Sequence, residues 1–173
     1  MCFEPPGGLK VRNETKNVDM VLPKGRFSSL VNTEEVFVLC ASNSASELIR
    51  SRFGAEACVE IGDVRILCQR IQASLPSDSS FRAGRVEYYS TDEEPRDRWA
   101  YPEVIAFLKL QAFSWQDEFR FCVSPTDALA RGNTKLQIVI DSTVSGAQSV
   151  APDSHEMTLH IGSLKHICKL VVF

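Results

Sequence analysis

At 173 residues, with 44% hydrophobic and 24% charged residues, the chain has the composition of one ordinary globular domain that buries its core without metal or disulfide staples. A formal net charge of −3, with no run of lysine or arginine, argues against a dedicated nucleic-acid binder, which needs a basic stripe to neutralise phosphates. No apolar run approaches the ~20 residues that cross a bilayer, and "MCFEPPGGLK" lacks a charged region followed by an apolar one, so no secretory signal is read and a cytoplasmic location is expected.

Residues 1–32 are rich in proline, glycine and charge, with turns at "PPGG" and "PKGR" and one short strand candidate, "VDMVLP". They read as an irregular N-terminal extension packed on a domain that spans 33–173. The run from Val36 to Ala41 is apolar on both faces, the pattern of a central strand buried on two sides. A helix follows, capped by Ser44 or Ser46, with Glu47 in its first turn and Gly54 at its end; Leu48, Ile49 and Phe53 are its expected buried stripe.

"EACVEI" reads as a second strand. Asp63 then caps the helix "VRILCQRIQASL", where Val64, Leu67, Cys68, Ile71 and Leu75 recur at helical spacing before Pro76 stops it. "GRVEYYS" is a third strand, followed by the charge-dense loop "TDEEPRDR". In "EVIAFLKLQAF" the choice lies between a helix begun at Pro102 and a strand; Val104, Ile105 and Phe107 favour a strand from Val104 to Lys109. A tight turn at Phe113–Trp115 leads to a strand at Glu118–Val123. "KLQIVI" and "EMTLHIGS" both alternate, the segment 141–154 reads as a long loop, "LKHI" as a helical turn, and "CKLVVF" as a final strand paired into the sheet. With no internal repeat, these elements predict a single α+β domain with a mixed or mostly antiparallel sheet and two main helices in its first half. The apolar last strand also allows an edge-strand homodimer.

The six cysteines show no C-x-x-C spacing, so no metal site is expected; those in strand-like runs, Cys40, Cys58 and Cys122, behave as small buried hydrophobes in a reducing compartment. None of the three histidines forms an H-x-x-x-H pair. A thiolate site joining His160 with Cys122 or Cys168 has no local signature beside it.

The stretch "SWQDEFRFCV" offers more. In an extended chain Gln116, Glu118 and Arg120 share one face, and Phe119, Phe121 and Val123 the other. The polar row either converges on a ligand in a cleft or is the wet side of a half-buried strand. Arg120 beside Glu118 favours the ionised carboxylate, which suits Glu118 to orienting or stabilising positive charge and not to donating a proton. Trp99 and Tyr101, just after the charged loop, are candidate contact residues, as are Tyr88, Tyr89, Phe113 and Trp115.

Two resemblances rest on these residues. "FSSLVNTEEVFVLCASNS", "FGAEACVEI", "LKLQAFSWQDEFRF" and "HIGSLKHICKL" resemble a group of small bacterial proteins similar to a domain-of-unknown-function family. Its members carry an F-x-K followed by a Glu-aromatic-Arg strand, matched here by Phe107-Leu108-Lys109 and Glu118-Phe119-Arg120. The family implies no activity. Gln116-Asp117-Glu118 also resembles the Q-x-E element of ADP-ribosyltransferases. That resemblance implies a catalytic Glu118 holding the nicotinamide ribose of NAD, with Arg26 as the early-strand basic residue and Ser42-Asn43-Ser44 as the Ser-x-Ser element. Two readings follow: a small-ligand-binding or protein-interaction module with a polar cleft near Glu118 and Arg120, lacking a cofactor; or an NAD-using transferase.

Overall fold

In the computed structural model, which describes residues 2–3, 5–31, 35–92, 101–126, 128–129, 134–139 and 156–173, four strands come first: β1 (Cys2–Phe3), β2 (Leu9–Asn13), β3 (Val18–Leu22) and β4 (Arg26–Val31). Then come β5 (Phe37–Ser42), α1 (Glu47–Phe53), β6 (Ala57–Ile61), α2 (Val64–Ala73), β7 (Ser80–Arg85) and β8 (Glu87–Tyr89). The remainder is α3 (Pro102–Ile105), β9 (Leu108–Leu110), a 3₁₀ turn at Gln111–Gln116, β10 (Glu118–Ser124), β11 (Thr134–Val139) and β12 (Cys168–Val172). This is an α+β fold with mostly antiparallel pairing; β8–β9 is the one parallel ladder among the described residues.

Strand β10 runs between β5 and β7, with Phe121 opposite Leu39 on one side and Ala83 on the other. Its alternating side chains are covered on both faces. Phe119, Phe121 and Val123 pack with Leu67 and Ile71 of α2 and with Ile167, and Phe121 keeps only 2% of its surface exposed. Burying a side chain of that size contributes on the order of 2–3 kcal/mol. The opposite face, carrying Glu118 and Arg120, lies under α3, β9 and the 3₁₀ turn: Arg120 Nη1 donates to the Ala106 carbonyl at 2.6 Å and Lys109 Nζ reaches Glu118 at 2.5 Å. At Val86 the chain changes sheets. The Val86 N–H still bonds to the Glu118 carbonyl, whereas the Glu87 N–H bonds to Phe107.

The helix ends follow their caps. Ser46 Oγ accepts from the Ile49 N–H, and Gly54 closes α1 at φ +60°; Asp63 Oδ1 accepts from the N–H groups of Arg65 and Ile66 at the start of α2. Residues 156–164 form no ladder, yet their alternation survives: Met157, Leu159, Ile161 and Leu164 pack on the core containing α2. The segment is tied down instead by side chains of α2, with Ser74 Oγ donating to the His160 carbonyl and Arg70 to the carbonyls of Ile161 and Ser163.

Several expectations change. The N-terminal stretch 1–32 is not irregular: it holds four strands, β4 pairs with β11 from the distant half of the chain, and Phe3 and Leu9 form a second core with Tyr89 and Leu108. Among the described residues β5 pairs only with β10, and Val38 and Leu39 are exposed, so its continuous apolar run marks no central position there. Leu48 and Phe53 of α1 are exposed, and no residue of that helix is buried. Pro102 begins a helix, as its pre-set φ and missing N–H allow at a first helical position, and the strand behind it shrinks to Leu108–Leu110. Cys122 is fully buried, but Cys40 is exposed and Cys58, Cys68 and Cys168 are half-buried. The loop at 141–154, Trp99 and His155 lie outside the described residues. Among the described residues no helix is long and apolar enough to cross a membrane.

Candidate functional site

Glu118 opens β10 immediately after Asp117, a non-glycine residue at φ +41°. Left-handed backbone is unfavourable for such a residue unless it is held. Here Asn43 holds it: the Asn43 N–H and Nδ2 both donate to the Asp117 carbonyl, at 2.7 and 2.8 Å, and Nδ2 also reaches Oδ1 at 3.1 Å. The central residue of the Ser-Asn-Ser segment thus fastens the turn that aims Glu118 inward.

The Glu118 side chain is 4% exposed and both of its oxygens are engaged. Arg120 Nε donates to Oε1 at 2.6 Å, Lys109 Nζ donates to Oε2 at 2.5 Å, and Lys109 also donates to Gln116 Oε1. Cys40, directly across the ladder from Arg120, brings its thiol beside the carboxylate. The main-chain N–H of Glu118 donates to the Tyr88 hydroxyl at 2.9 Å. Phe113 lies over Lys109, with the ammonium 5.3 Å from its ring centre.

Burial by itself pushes the Glu118 carboxyl upward, but the hydrogen bonds from Arg120, Cys40 and Lys109 outweigh it and bring the pKa down to about 2. An anion so held is a poor proton donor at neutral pH. With its two oxygens shared between two cations, it acts as a fastening between β10, β9 and the 3₁₀ turn. The same surroundings raise the Cys40 thiol, through burial and then the neighbouring Glu118, and burial pushes the Cys122 thiol up to about 11.

Of the residues singled out from sequence, Gln116, Glu118 and Arg120 do converge, though on Lys109 and on one another and toward the protein interior. Ser42 stands opposite Glu118 in the β5–β10 register and is exposed; Ser44 is exposed beyond the strand end. Arg26 sits on β4, in a different sheet. Tyr101 is half-buried at the start of α3, where its carbonyl accepts from Val104 and Ile105. Trp115 meets Phe53 at 5.3 Å between ring centres and lies under Arg52, which docks α1 on the 3₁₀ turn. In the sequence Lys109 is marked only as the end of the expected strand and by the F-x-K resemblance, and Tyr88 only as an aromatic; no local pattern announces either as a partner of Glu118. Among the described residues no cluster of three or more His, Cys, Asp or Glu side chains is arranged to hold a metal.

Three concave features of the described residues lie elsewhere. One cleft of about 680 Å³ runs between β5 and β6; Leu67, Ile71 and Phe121 line it from the core, Val38, Leu39 and Val59 from the strands, and Met157 and Leu159 from the 156–164 segment. A second, of about 550 Å³, is formed at Phe3, Gly8, Leu9 and Phe27, and a third, of about 570 Å³, at Gly62, Asp63, His166 and Lys169. None of the three includes Glu118 or Arg120.

Comparison with known proteins returned no matching family model, no matching curated protein and no matching solved structure.

Proposed function

We propose that this protein is a bacterial cytoplasmic interaction module, not a metal or nucleic-acid binder, and that it receives an extended apolar segment of a partner in the cleft between β5 and β6. The observation carrying this reading is the cleft itself: about 680 Å³, lined almost wholly by apolar side chains, and bordered by two strand edges. That volume is within the ~300–1,000 Å³ typical of ligand sites.

The edges have the right polarity for a strand. The Asn43 N–H bonds to Asp117, so alternation turns the backbone groups of residues 37, 39 and 41 toward β10 and those of Val38, Cys40 and Ser42 toward the cleft side. On β6 the bonds from Phe173 to Glu56 and from Gly62 to Ile167 place residues 58 and 60 toward β12, leaving Ala57, Val59 and Ile61 facing outward. A strand laid between them gains main-chain hydrogen bonds and an apolar floor, the two ingredients of strand addition.

Titration with an acetylated, amidated peptide alternating threonine and valine tests this by amide hydrogen exchange. Protection of Val38, Cys40, Val59 and Ile61, lost in Leu39→Glu, supports the reading; unchanged exchange at all four rejects it.

The NAD-transferase reading draws on one observation, that Ser42 faces Glu118 across the ladder. Against it stands a carboxylate with both oxygens occupied. Thermal-shift measurement with NAD and ADP-ribose separates the two, because ligand at 100 times its dissociation constant adds roughly 2.7 kcal/mol to stability. A shift in the wild type that disappears in Glu118→Ala, with the variant still folded, favours the transferase.

A further inference from the structure

We propose that the outer edge of β12 is a self-association site, where two copies of this chain pair their Cys168–Val172 strands antiparallel about a twofold axis at Leu170. The main-chain edge of β12 is distinct from the β6 edge that borders the cleft, although Val59 and Cys168 belong to both surfaces, and the self-association test uses no cleft ligand.

Some of the main-chain groups of β12 are already used. The Phe173 N–H bonds to Glu56 O and the Gly62 N–H to Ile167 O, so positions 167, 169, 171 and 173 point their main-chain groups toward β6. The N–H and C=O groups of Leu170 and Val172 therefore point away, as does the C=O of Cys168, whose N–H donates to the Leu164 carbonyl at 2.9 Å; β6 is the only ladder partner of β12 among the described residues. An open edge of this kind is a template for another strand. Residues 168–172 contain none of the usual devices against such pairing: no proline and no charge on the face carrying Leu170.

One register lets the edge pair with itself over its whole length. With Leu170 opposite its own copy, the two Leu170 residues exchange both main-chain bonds, and on each side of the axis the Cys168 carbonyl accepts from the Val172 N–H, the Cys168 N–H staying with Leu164. Centring on Val171 leaves Cys168 without a counterpart inside the strand. Centring on Lys169 sets two ammonium groups against each other. In the Leu170 register Lys169 faces Val171 of the second copy and keeps Glu60 as its neighbour within its own subunit, so no like charges meet across the axis. The exposed Val59 and Leu170, 62% and 67% accessible, become one apolar row running Val59, Leu170, Leu170, Val59 across four strands. A closed, isologous contact of this type makes a dimer and stops there.

Sedimentation of the full chain tests the proposal. The wild type should be a concentration-dependent dimer. Leu170→Glu and Leu170→Lys, which place like charges at the axis, should each weaken it by about a hundredfold or more; an equimolar mixture of the two should restore dimers. Leu170→Cys should form an intersubunit disulfide under mild oxidation, since the hydrogen-bonded pair sets the two Cα atoms ~5.5 Å apart. Leu170→Pro removes an outward N–H without touching the β6 ladder, and should be a folded monomer by circular dichroism. A wild type that stays monomeric at high concentration overturns the proposal. So does a dimer that both charge variants leave intact.

Discussion

Arg120 Nε and Glu118 Oε1 lie 2.6 Å apart on the same face of one strand, two residues apart in the chain, with the carboxylate buried and the guanidinium side chain 15% exposed. Lys109 completes the group from β9, so one carboxylate, shielded from water, neutralises one of two partly buried cations. Removing the anion leaves both without their counter-charge. Glu118→Gln is therefore expected to cost about 3–5 kcal/mol, the range for breaking a buried pair. Urea unfolding measures it; a loss below 1 kcal/mol would mean that the cluster is incidental to stability.

The same carboxyl gives the molecule an acid limit. Its folded pKa of about 2 lies below the ordinary 4.5, so the unfolded chain takes up the proton first as pH falls. The stability it contributes is fully present above pH 4.5 and drains as pH drops toward 2, on the order of 3 kcal/mol in all. Unfolding free energy measured across that window should fall in the wild type and be flatter in Glu118→Gln. Parallel curves would contradict the assignment.

Cys122 is fully buried on β10 with its thiol pushed up to about 11, and so is neither accessible nor ionised. Alkylation by iodoacetamide at mildly alkaline pH should leave it unmodified in the native protein and label it on denaturation. Peptide mass analysis reads the outcome; native labelling at Cys122 would show that the β5–β10–β7 sheet opens.

Gly54 ends α1 at φ +60° with no atom within 4 Å of where a Cβ would stand. The cost of Gly54→Ala is then torsional alone, about 1 kcal/mol, with no steric component. Gly54→Asn should cost less, because asparagine tolerates the left-handed region. Thermal unfolding of the pair checks the order, and equal losses would point to a packing role for that position.

Local chemistry made many elements readable before folding. Ser46 and Asp63 cap helices because their side-chain oxygens reach the free N–H groups of the first turn, a matter of three residues. The Phe119, Phe121, Val123 row goes to the core for an equally local reason, the period of two in an extended chain. The solvent partition of the other row is not local. Glu118 looks like a wet residue, and it is buried because α3, β9 and the 3₁₀ turn fold over that face.

Composition, spacing and turn residues by themselves determined the class of fold, the caps, the course of β10 and the ionised state of Glu118, since each depends on neighbours close in sequence. The tertiary structure alone decided that, among the described residues, β5 pairs only with β10 and β12 only with β6, that the N-terminal stretch supplies four strands, and that Lys109 closes the Glu118 cluster. These depend on which segments meet across long stretches of chain. An apolar run has the same pattern whether one strand flanks it or two, and a charged side chain carries no local mark of the cover that folds over it.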